Sequence, residues 1–456
     1  MTVEQLVPNA SPETIGKILE YLKVNSIEEL YSDVPKEILL KEPPDIGRAI
    51  DHVTLEALAS SKLTSNPPKL IFTGGGIADH YVPPLVDELA SRQEFYTSYT
   101  PYQPEVSQGV LQALFEYQSL MAELLGVDVV NASLYDSGSA LGEAGRFSMR
   151  VTGRRKIVLA SNVNPDRKAV LRTYVEPLNV EIVEAPMDRE SGRVAMEELS
   201  GLVDDSTAMV YLEIPNFYGV VEEDAEEIME LAHSKGAIAA LGVDPLITAL
   251  IKPPGEMGAD LVIGEGQHLG SPMNFGGPSL GIFGVKMDMK FVRQLPGRLI
   301  GMTKTQDGLY RSYCMVLQTR EQHIRKEEAT SNVTTSSSLV AIRAAIYLSL
   351  LGPDGLRKLA EKILYNTAYL KRRISELACM KVPFTGLSFK EVSVSSMVPW
   401  GRVNSRLLSK GILGGFVISS LFPEMDLGMN LALFSTTEKH GRADIDLLVD
   451  SIGEVC

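Results

Sequence analysis

Three short stretches carry residue types that could hold a small charged molecule and work on it. Tyr135-Asp136-Ser137-Gly138-Ser139-Ala140-Leu141-Gly142-Glu143 sets small residues and hydroxyls just before a helical pattern. Amides and hydroxyls at a helix start suit a phosphate, and the same residues would also serve as an ordinary cap. Asp244 closes the apolar run 237–243. A carboxylate there can pair with a protonated ring nitrogen, or act only as a turn residue. The next apolar run, 261–264, leads into Glu265-Gly266-Gln267-His268-Leu269-Gly270. A lysine in that loop could condense with a carbonyl to give an imine, yet no lysine lies between Lys252 and Lys286. Gln267 cannot replace it, because its amide lone pair is delocalised into the carbonyl. The chain offers a phosphate cradle and a ring partner without the covalent anchor.

Such residues need strand ends and helix starts to position them. Short β-branched or apolar runs at 156–160, 180–184, 209–214, 237–243 and 261–264 alternate with helical segments, the clearest from Asp224 as N-cap to Lys235. This alternation predicts a mostly parallel sheet covered on both faces, with ligands beyond the carboxyl ends of its strands. Ser107 can cap a helix lined by Val110, Leu111, Leu114, Tyr117 and Met121, with Gly126 at its stop. A helical pattern over 339–351 breaks at Gly352-Pro353 and resumes to about 377. A strand near 389–394, a helix near 403–409, a strand near 430–435 and a last helix from Ala443 come after it. At the other end, Ser11-Pro12 and the repeat of Ile15, Ile18, Leu19 and Leu22 predict a helix. Ser26-Ile27-Glu28-Glu29 reads as a capping box, and proline pairs at 43–44, 67–68 and 83–84 suggest an arm wrapped on something larger. The expected organisation is an N-terminal helical arm over 1–70, a large domain over 71–335 and a small α/β domain over 336–456. That layout is the α/β, aminotransferase-like architecture of fold type I pyridoxal-phosphate proteins. Those proteins need the three features above: a phosphate-holding helix start, an Asp on the pyridine nitrogen and a Schiff-base lysine.

Composition narrows the function classes. With 45% hydrophobic and 22% charged residues among 456, wholesale disorder is excluded. No run of about 18 apolar residues occurs, so no membrane span is expected. The first residues lack a basic-then-apolar leader, so a cytoplasmic location is expected. A net charge of −15 disfavours nucleic acid as a partner. Residues 286–326 depart from that balance, with nine Lys or Arg against three acids. They form either an internally paired set or a docking face for an anionic ligand or acidic partner. Cys314, Cys379 and Cys456 are far apart and odd in number, so neither a metal-ligand pair nor a disulfide framework is expected. Six histidines without paired spacing suggest no metal site.

Longer motifs carry a resemblance. They are Glu94-Phe95-Tyr96-Thr97-Ser98-Tyr99-Thr100-Pro101-Tyr102-Gln103-Pro104-Glu105-Val106-Ser107-Gln108-Gly109, Asn131-Ala132-Ser133-Leu134-Tyr135-Asp136, Pro215-Asn216-Phe217, Gly276-Gly277-Pro278, Pro296-Gly297-Arg298 and Arg320-Glu321-Gln322-His323-Ile324-Arg325. Through them nearly the whole chain resembles the glycine dehydrogenase (decarboxylating) P-protein family of the glycine cleavage system. The likeness is to subunit 1, the N-terminal-half type found where the enzyme is split into two chains. In that family subunit 2 carries a His-Lys-Thr motif whose lysine binds pyridoxal phosphate, and subunit 1 has the same glycine-rich loop without it. Gln267 stands in that place here. After Ala329-Thr330-Ser331-Asn332 the family usually continues Ile-Cys-Thr-Asn, whereas this chain reads Val333-Thr334-Thr335-Ser336.

The resemblance implies an oxidoreductase that releases CO2 from glycine and transfers the aminomethyl group to the lipoyl group of the H-protein. It implies a heterotetramer with subunit 2, working beside the aminomethyltransferase and lipoamide dehydrogenase of the same system. This chain would bind no cofactor covalently, would be non-catalytic and would shape the partner's site, with pyridoxal phosphate held by subunit 2. Tyr96, Tyr99, Tyr102 and Gln103, flanked by Pro101 and Pro104, give flat faces with hydroxyl handles. They could wall the partner's site and the lipoyl path, or pack as an interface loop. Arg320, His323 and Arg325, with Thr330, Ser331 and Asn332 just beyond them, suit a phosphate or a glycine carboxylate. Alternatively they pair with Glu321, Glu327 and Glu328. His268 is expected to line the vestigial pocket. Two rival readings are a self-sufficient pyridoxal-phosphate enzyme using Lys252 or Lys304, and a module that docks the lipoyl carrier through residues 286–326.

Overall fold

A computed structural model describes residues 7, 9–40, 42, 44–63, 68–96, 101–333 and 336–456. The chain divides into two compact units, Met1–Pro67 and Pro68–Cys456. In the first, the Ser11 hydroxyl accepts from the Thr14 amide at 3.2 Å and starts the helix Pro12–Leu22, as its cap pattern predicts. Ser26 forms no capping box. Its partner acid, Glu29, accepts instead from the Asn25 amide group at 3.0 Å, and a 3-10 turn, Ile27–Tyr31, forms there. A helix that the apolar pattern does not reveal, His52–Leu63, begins where the Asp51 carboxylate accepts from the Thr54 amide at 2.9 Å.

The second unit is built on a seven-stranded sheet. Its order is Val129–Val130, Gly281–Val285, Leu261–Glu265, Ile238–Val243, Thr207–Ile214, Lys156–Ala160, Glu181–Ala185. The last five of these run parallel, as the strand–helix alternation predicts, and Gly281–Val285 is antiparallel to both its neighbours. Thr207–Ile214 and Ile238–Val243 are buried along their whole length, which suits strands covered on both faces. The register pairs Ile214 with Val243 and Val243 with Gly264, so Asp244 and Glu265 emerge side by side at the carboxyl edge. The helix Ser137–Thr152 crosses beneath that edge, almost wholly buried. A Cβ on Gly142 would stand 2.6 Å from the Tyr174 ring, so glycine there lets the helix Pro165–Val175 pack close.

A smaller antiparallel sheet, ordered Met380–Lys381, Glu391–Ser396, Leu431–Ser435, Phe416–Val417, carries the second core. The helix Ser338–Ser375 serves both sheets. Its first half buries Val340, Ala341, Ile342 and Tyr347 in the large core, and its far end buries Leu370 and Ile374 in the small one. Gly352, at φ +60 and ψ −179, breaks it where Gly352-Pro353 predicts. This helix is long and apolar enough to cross a membrane by composition, and the burial of those residues makes it a core helix. A segment from the start of this unit also joins the small sheet's side. Leu70–Ile71 pairs with Ile412–Leu413, Thr73 bridges to Phe434, and Phe72 lies in the small core.

The cysteines depart from the sequence expectation of no disulfide. Cys379 and Cys456 form a disulfide, their Cα atoms 5.4 Å apart, and Cys314 is free. The pair is separated by 77 residues, so spacing gave no sign of it. It closes because the helix Arg442–Gly453 returns to the start of the small sheet. A cross-link over so long a loop removes much unfolded-state freedom, typically about 2–4 kcal/mol. Cys456→Ser should lower the urea midpoint accordingly, and a reductant should lower the native chain's midpoint but not the variant's.

Candidate functional site

The carboxyl edge of the large sheet brings together Asp244, Gln267 and His268, which the sequence analysis singled out, and sets Glu265 beside them. It also brings in a residue that no spacing pointed to. Lys390, just before the small-sheet strand Glu391–Ser396, reaches across, and its ammonium forms a buried ion pair with Asp244. Both side chains are under a tenth exposed. Lys390 holds a left-handed backbone, φ +66, which a lysine adopts only when its surroundings enforce it. Burial works to raise the Asp244 carboxyl, but the facing Lys390 ammonium, nearby His268 and the Leu246 amide together overcome it and hold the group well below the usual carboxylate range.

The ammonium makes a second bond, to His268 Nε2 at 3.0 Å. Burial, then Lys390, depress the His268 imidazole well below its usual value, so it is neutral and can accept there. Its Nδ1–H then donates to Gln267 Oε1 at 3.1 Å, and Gln267 Nε2 donates to the Ser271 carbonyl at 2.7 Å. The relay fixes one imidazole tautomer. His80 packs edge-on to His268, ring centroids 5.1 Å apart, and meets Glu438 at 2.9 Å.

Glu265 is the other resident. Its carboxylate accepts from the amides of Ser137, Gln267 and Leu280 at 3.2, 3.0 and 3.1 Å. It therefore sits at the start of the helix Ser137–Thr152, where the small-residue motif suggested a phosphate. Burial raises its carboxyl, and those amide bonds oppose the rise. Close by, Glu213 pairs with Arg167 at 3.0 Å, and Glu391 accepts from the Gly75 and Gly76 amides at 2.6 and 3.0 Å.

These side chains enclose a cavity of about 40 Å³, room for a few waters at most. Four carboxyl groups line it, from Glu213, Asp244, Glu265 and Glu391, against the cations of Arg167 and Lys390. A second cavity, about 260 Å³, adjoins it at the helix start, with Asp136, Asp166 and Glu265 facing Arg167. Pyridoxal phosphate does not fit this donor set. Its ring partner is already paired, a carboxylate holds the helix start, and the lining would repel a phosphate. Neither Lys252, ion-paired with Glu226, nor Lys304, exposed at a strand end, lines the small cavity. Lys390 is the lysine that does.

Among the described residues, none of the expected wall residues lines either cavity. Tyr102 is exposed, its hydroxyl 3.3 Å from Arg298 and its ring 5.6 Å from the His323 ring. Arg298, Arg320, Thr330 and Ser331 line a narrow crevice with Gly297, Glu321 and Val333. Arg320 donates to the Gly297 carbonyl at 3.1 Å, and burial, opposed by Glu321, pushes its guanidinium down to about 10. Ser331 donates to buried Glu143 at 2.7 Å, tying the crevice to the helix Ser137–Thr152. Tyr96 is exposed at the end of a short helix, and Gln103 is exposed nearby. Arg325 lies outside this group, meeting the Thr319 carbonyl at 3.3 Å and Glu328 at 3.5 Å. Asn332 is exposed, and Tyr99 falls outside the described residues. Sequence reasoning missed the roles of Lys390, Glu265 and Arg298. Glu265 left a signal, an acid closing an apolar strand two residues before Gln267, and Arg298 stood in the Pro296-Gly297-Arg298 motif with no role attached to it.

Comparison with known proteins agrees with the motifs. Residues 6–451 match the family model for the glycine cleavage system P-protein. A protein of Staphylothermus marinus named a probable glycine dehydrogenase (decarboxylating) subunit 1 is 47% identical, the match covering 98% of this chain and 97% of that one. One of the same name from Thermococcus kodakarensis is 46% identical, covering 98% of each. A crystal structure of the P-protein glycine decarboxylase in inhibitor-bound form superposes with a TM-score of 0.85 at 38% identity, covering 98% of this chain and 99% of that chain. A NifS-like protein, at 14% identity and a TM-score of 0.61, shares the fold.

The buried pair has a measurable consequence. Asp244→Asn would leave Lys390 buried without its counter-ion, at a cost of about 3–5 kcal/mol at neutral pH. The Asp244 carboxyl titrates lower in the folded chain than its unfolded value of about 4. Its contribution is therefore fully present above that value and is lost as the pH falls through the folded one. Urea midpoints taken downward from about pH 4 should fall less steeply for the variant than for the native chain. Parallel slopes would contradict the assignment.

Proposed function

The chain belongs to the glycine cleavage system P-protein family, and we propose that within that enzyme it is the subunit that builds part of a site whose cofactor the other subunit holds. As a glycine dehydrogenase (decarboxylating) subunit it serves a reaction that takes CO2 from glycine. The fold family uses pyridoxal phosphate, which supplies the electron sink for losing the carboxyl group. In this reading subunit 2 carries it, the lipoyl H-protein receives the aminomethyl group, and the aminomethyltransferase and lipoamide dehydrogenase complete the cycle in the cytoplasm.

One observation carries the reading. The chain's own strand-end pocket is small, about 40 Å³, and lined by paired charges, while a separate edge presents Tyr102, Arg298, Arg320 and His323 together. Arg320 and Arg298 give an anion two planar donors close to the hydroxyls of Thr330 and Ser331. A carboxylate or phosphate brought there by the partner would be held and oriented. The exposed Tyr96 and Tyr102 rings suit an apolar arm and help exclude water from a site formed between two chains.

The docking-module alternative is weaker, since several cations of the basic stretch are engaged internally. Lys286 meets the Gly258 carbonyl at 3.1 Å and Asp260 at 3.7 Å, and Arg325 meets Glu328 at 3.5 Å.

Co-expression with a second, lysine-bearing subunit tests the proposal. Glycine-dependent CO2 exchange is expected only when both chains are present, and turnover by this chain alone would refute it. In the assembled enzyme, Arg320→Leu should raise the glycine KM by about tenfold, the loss of one charge-assisted bond. An unchanged KM with intact assembly would remove Arg320 from the site. Tyr102→Phe tests the phenol in the same assay.

A further inference from the structure

We propose that the strand-end pocket is rebuilt as an internal ionic core, in which Lys390 occupies the cation position on Asp244, Gln267 orients His268 to receive Lys390, and Glu265 occupies the anion position at the helix start. The pocket is then closed to an anionic cofactor by its own charges, and not only by the absence of a lysine at 267. The inference rests on the reading that this chain holds no cofactor, and it explains how the site is sealed.

Lys390 is a donor only, so it needs acceptors on both sides, and Asp244 and His268 Nε2 provide them. His268 can accept at Nε2 only if its proton is on Nδ1, and that proton needs an acceptor, which is Gln267 Oε1. Gln267 then spends its own donor on the Ser271 carbonyl. Glutamine satisfies both ends of this chain. A lysine at 267 would meet the Nδ1–H with another donor and would place a second ammonium beside Lys390. Gln267 is thus a positioning residue with a geometric task.

Lys390 also joins the two sheets of the second unit. Asp244 ends a large-sheet strand, and Lys390 leads into the small-sheet strand that carries Glu391. Around this bridge the sheets meet closely. The Phe389 amide donates to the Gly219 carbonyl at 3.1 Å, and Ser393 donates to the Tyr218 carbonyl at 2.9 Å. Gly219, at φ +80, has no Cβ to strike the Glu391 backbone. The closed arrangement is held by the protein's own ion pair and needs no ligand.

Two measurements on the full-length chain test this. In the first, Gln267→Lys is incubated with pyridoxal phosphate, reduced with borohydride and mapped by mass spectrometry, with circular dichroism to confirm folding. No adduct at position 267 is expected, because Lys390 and Glu265 still fill the site. A stoichiometric adduct there would overturn the proposal and leave the subunit assignment standing, whereas an adduct on the native chain's Lys390 would sink that assignment as well. The second is a thermal double-mutant cycle with Lys390→Met and Asp244→Leu. Each single variant should lower Tm, and the double variant should recover more than half of the combined loss. Simple additivity would overturn the proposal.

Discussion

A lysine ammonium buried against an aspartate sets the terms for everything around it in this protein. Two charges taken out of water are costly unless every remaining donor and acceptor finds a partner. The Asp244–Lys390 pair is supported by the Leu246 amide on Asp244 and by His268, Gln267 and the Ser271 carbonyl in a directed chain from Lys390. The condition reaches into the fold. It requires the carboxyl ends of adjacent strands to align, it fixes one imidazole tautomer, and it sets the approach of the small sheet.

The neighbouring carboxylates extend the same logic. Glu265 and Glu391 are satisfied by backbone amides, and Glu213 by Arg167, so each buried charge has assigned partners. The result is a pocket with the outline of a cofactor site and the electrostatics of a structural core. Losing a reactive amine is one step in retiring such a site. Filling it with a self-consistent set of charges is a second step, and it converts a cavity into cohesion between two sheets.

The outward edge is organised differently. Tyr102, Arg298, Arg320 and His323 converge from three separate segments. The crevice beside them is lined by two guanidinium groups and one carboxylate, that of Glu321. Such a lining is net positive, and a net positive crevice favours an incoming anion. A pocket closed by its own charges beside a cationic edge is the electrostatic pattern of a subunit whose contribution is made at its surface.

Much of this was legible in the residues. Alternating apolar runs gave five parallel strands to within a few residues, because the inner strands are buried on both faces and so are apolar nearly throughout. Gly126 and Gly352 marked a helix end and a kink, because their backbone angles suit few other residues. The position of Asp244 and the missing lysine were equally plain, since both depend only on the few residues that come directly after a strand. The order of residues could not reveal contact between distant segments. Lys390 lies 146 residues from Asp244, and Cys379 lies 77 from Cys456. The Ser26 box failed because a neighbouring asparagine competed for its acid. Local chemistry is written in neighbours along the chain, so sequence determined the strands, the turns and the absent anchor. Which charges neutralise one another depends on where folding brings them, and only the tertiary structure decided that Lys390 would close the pocket.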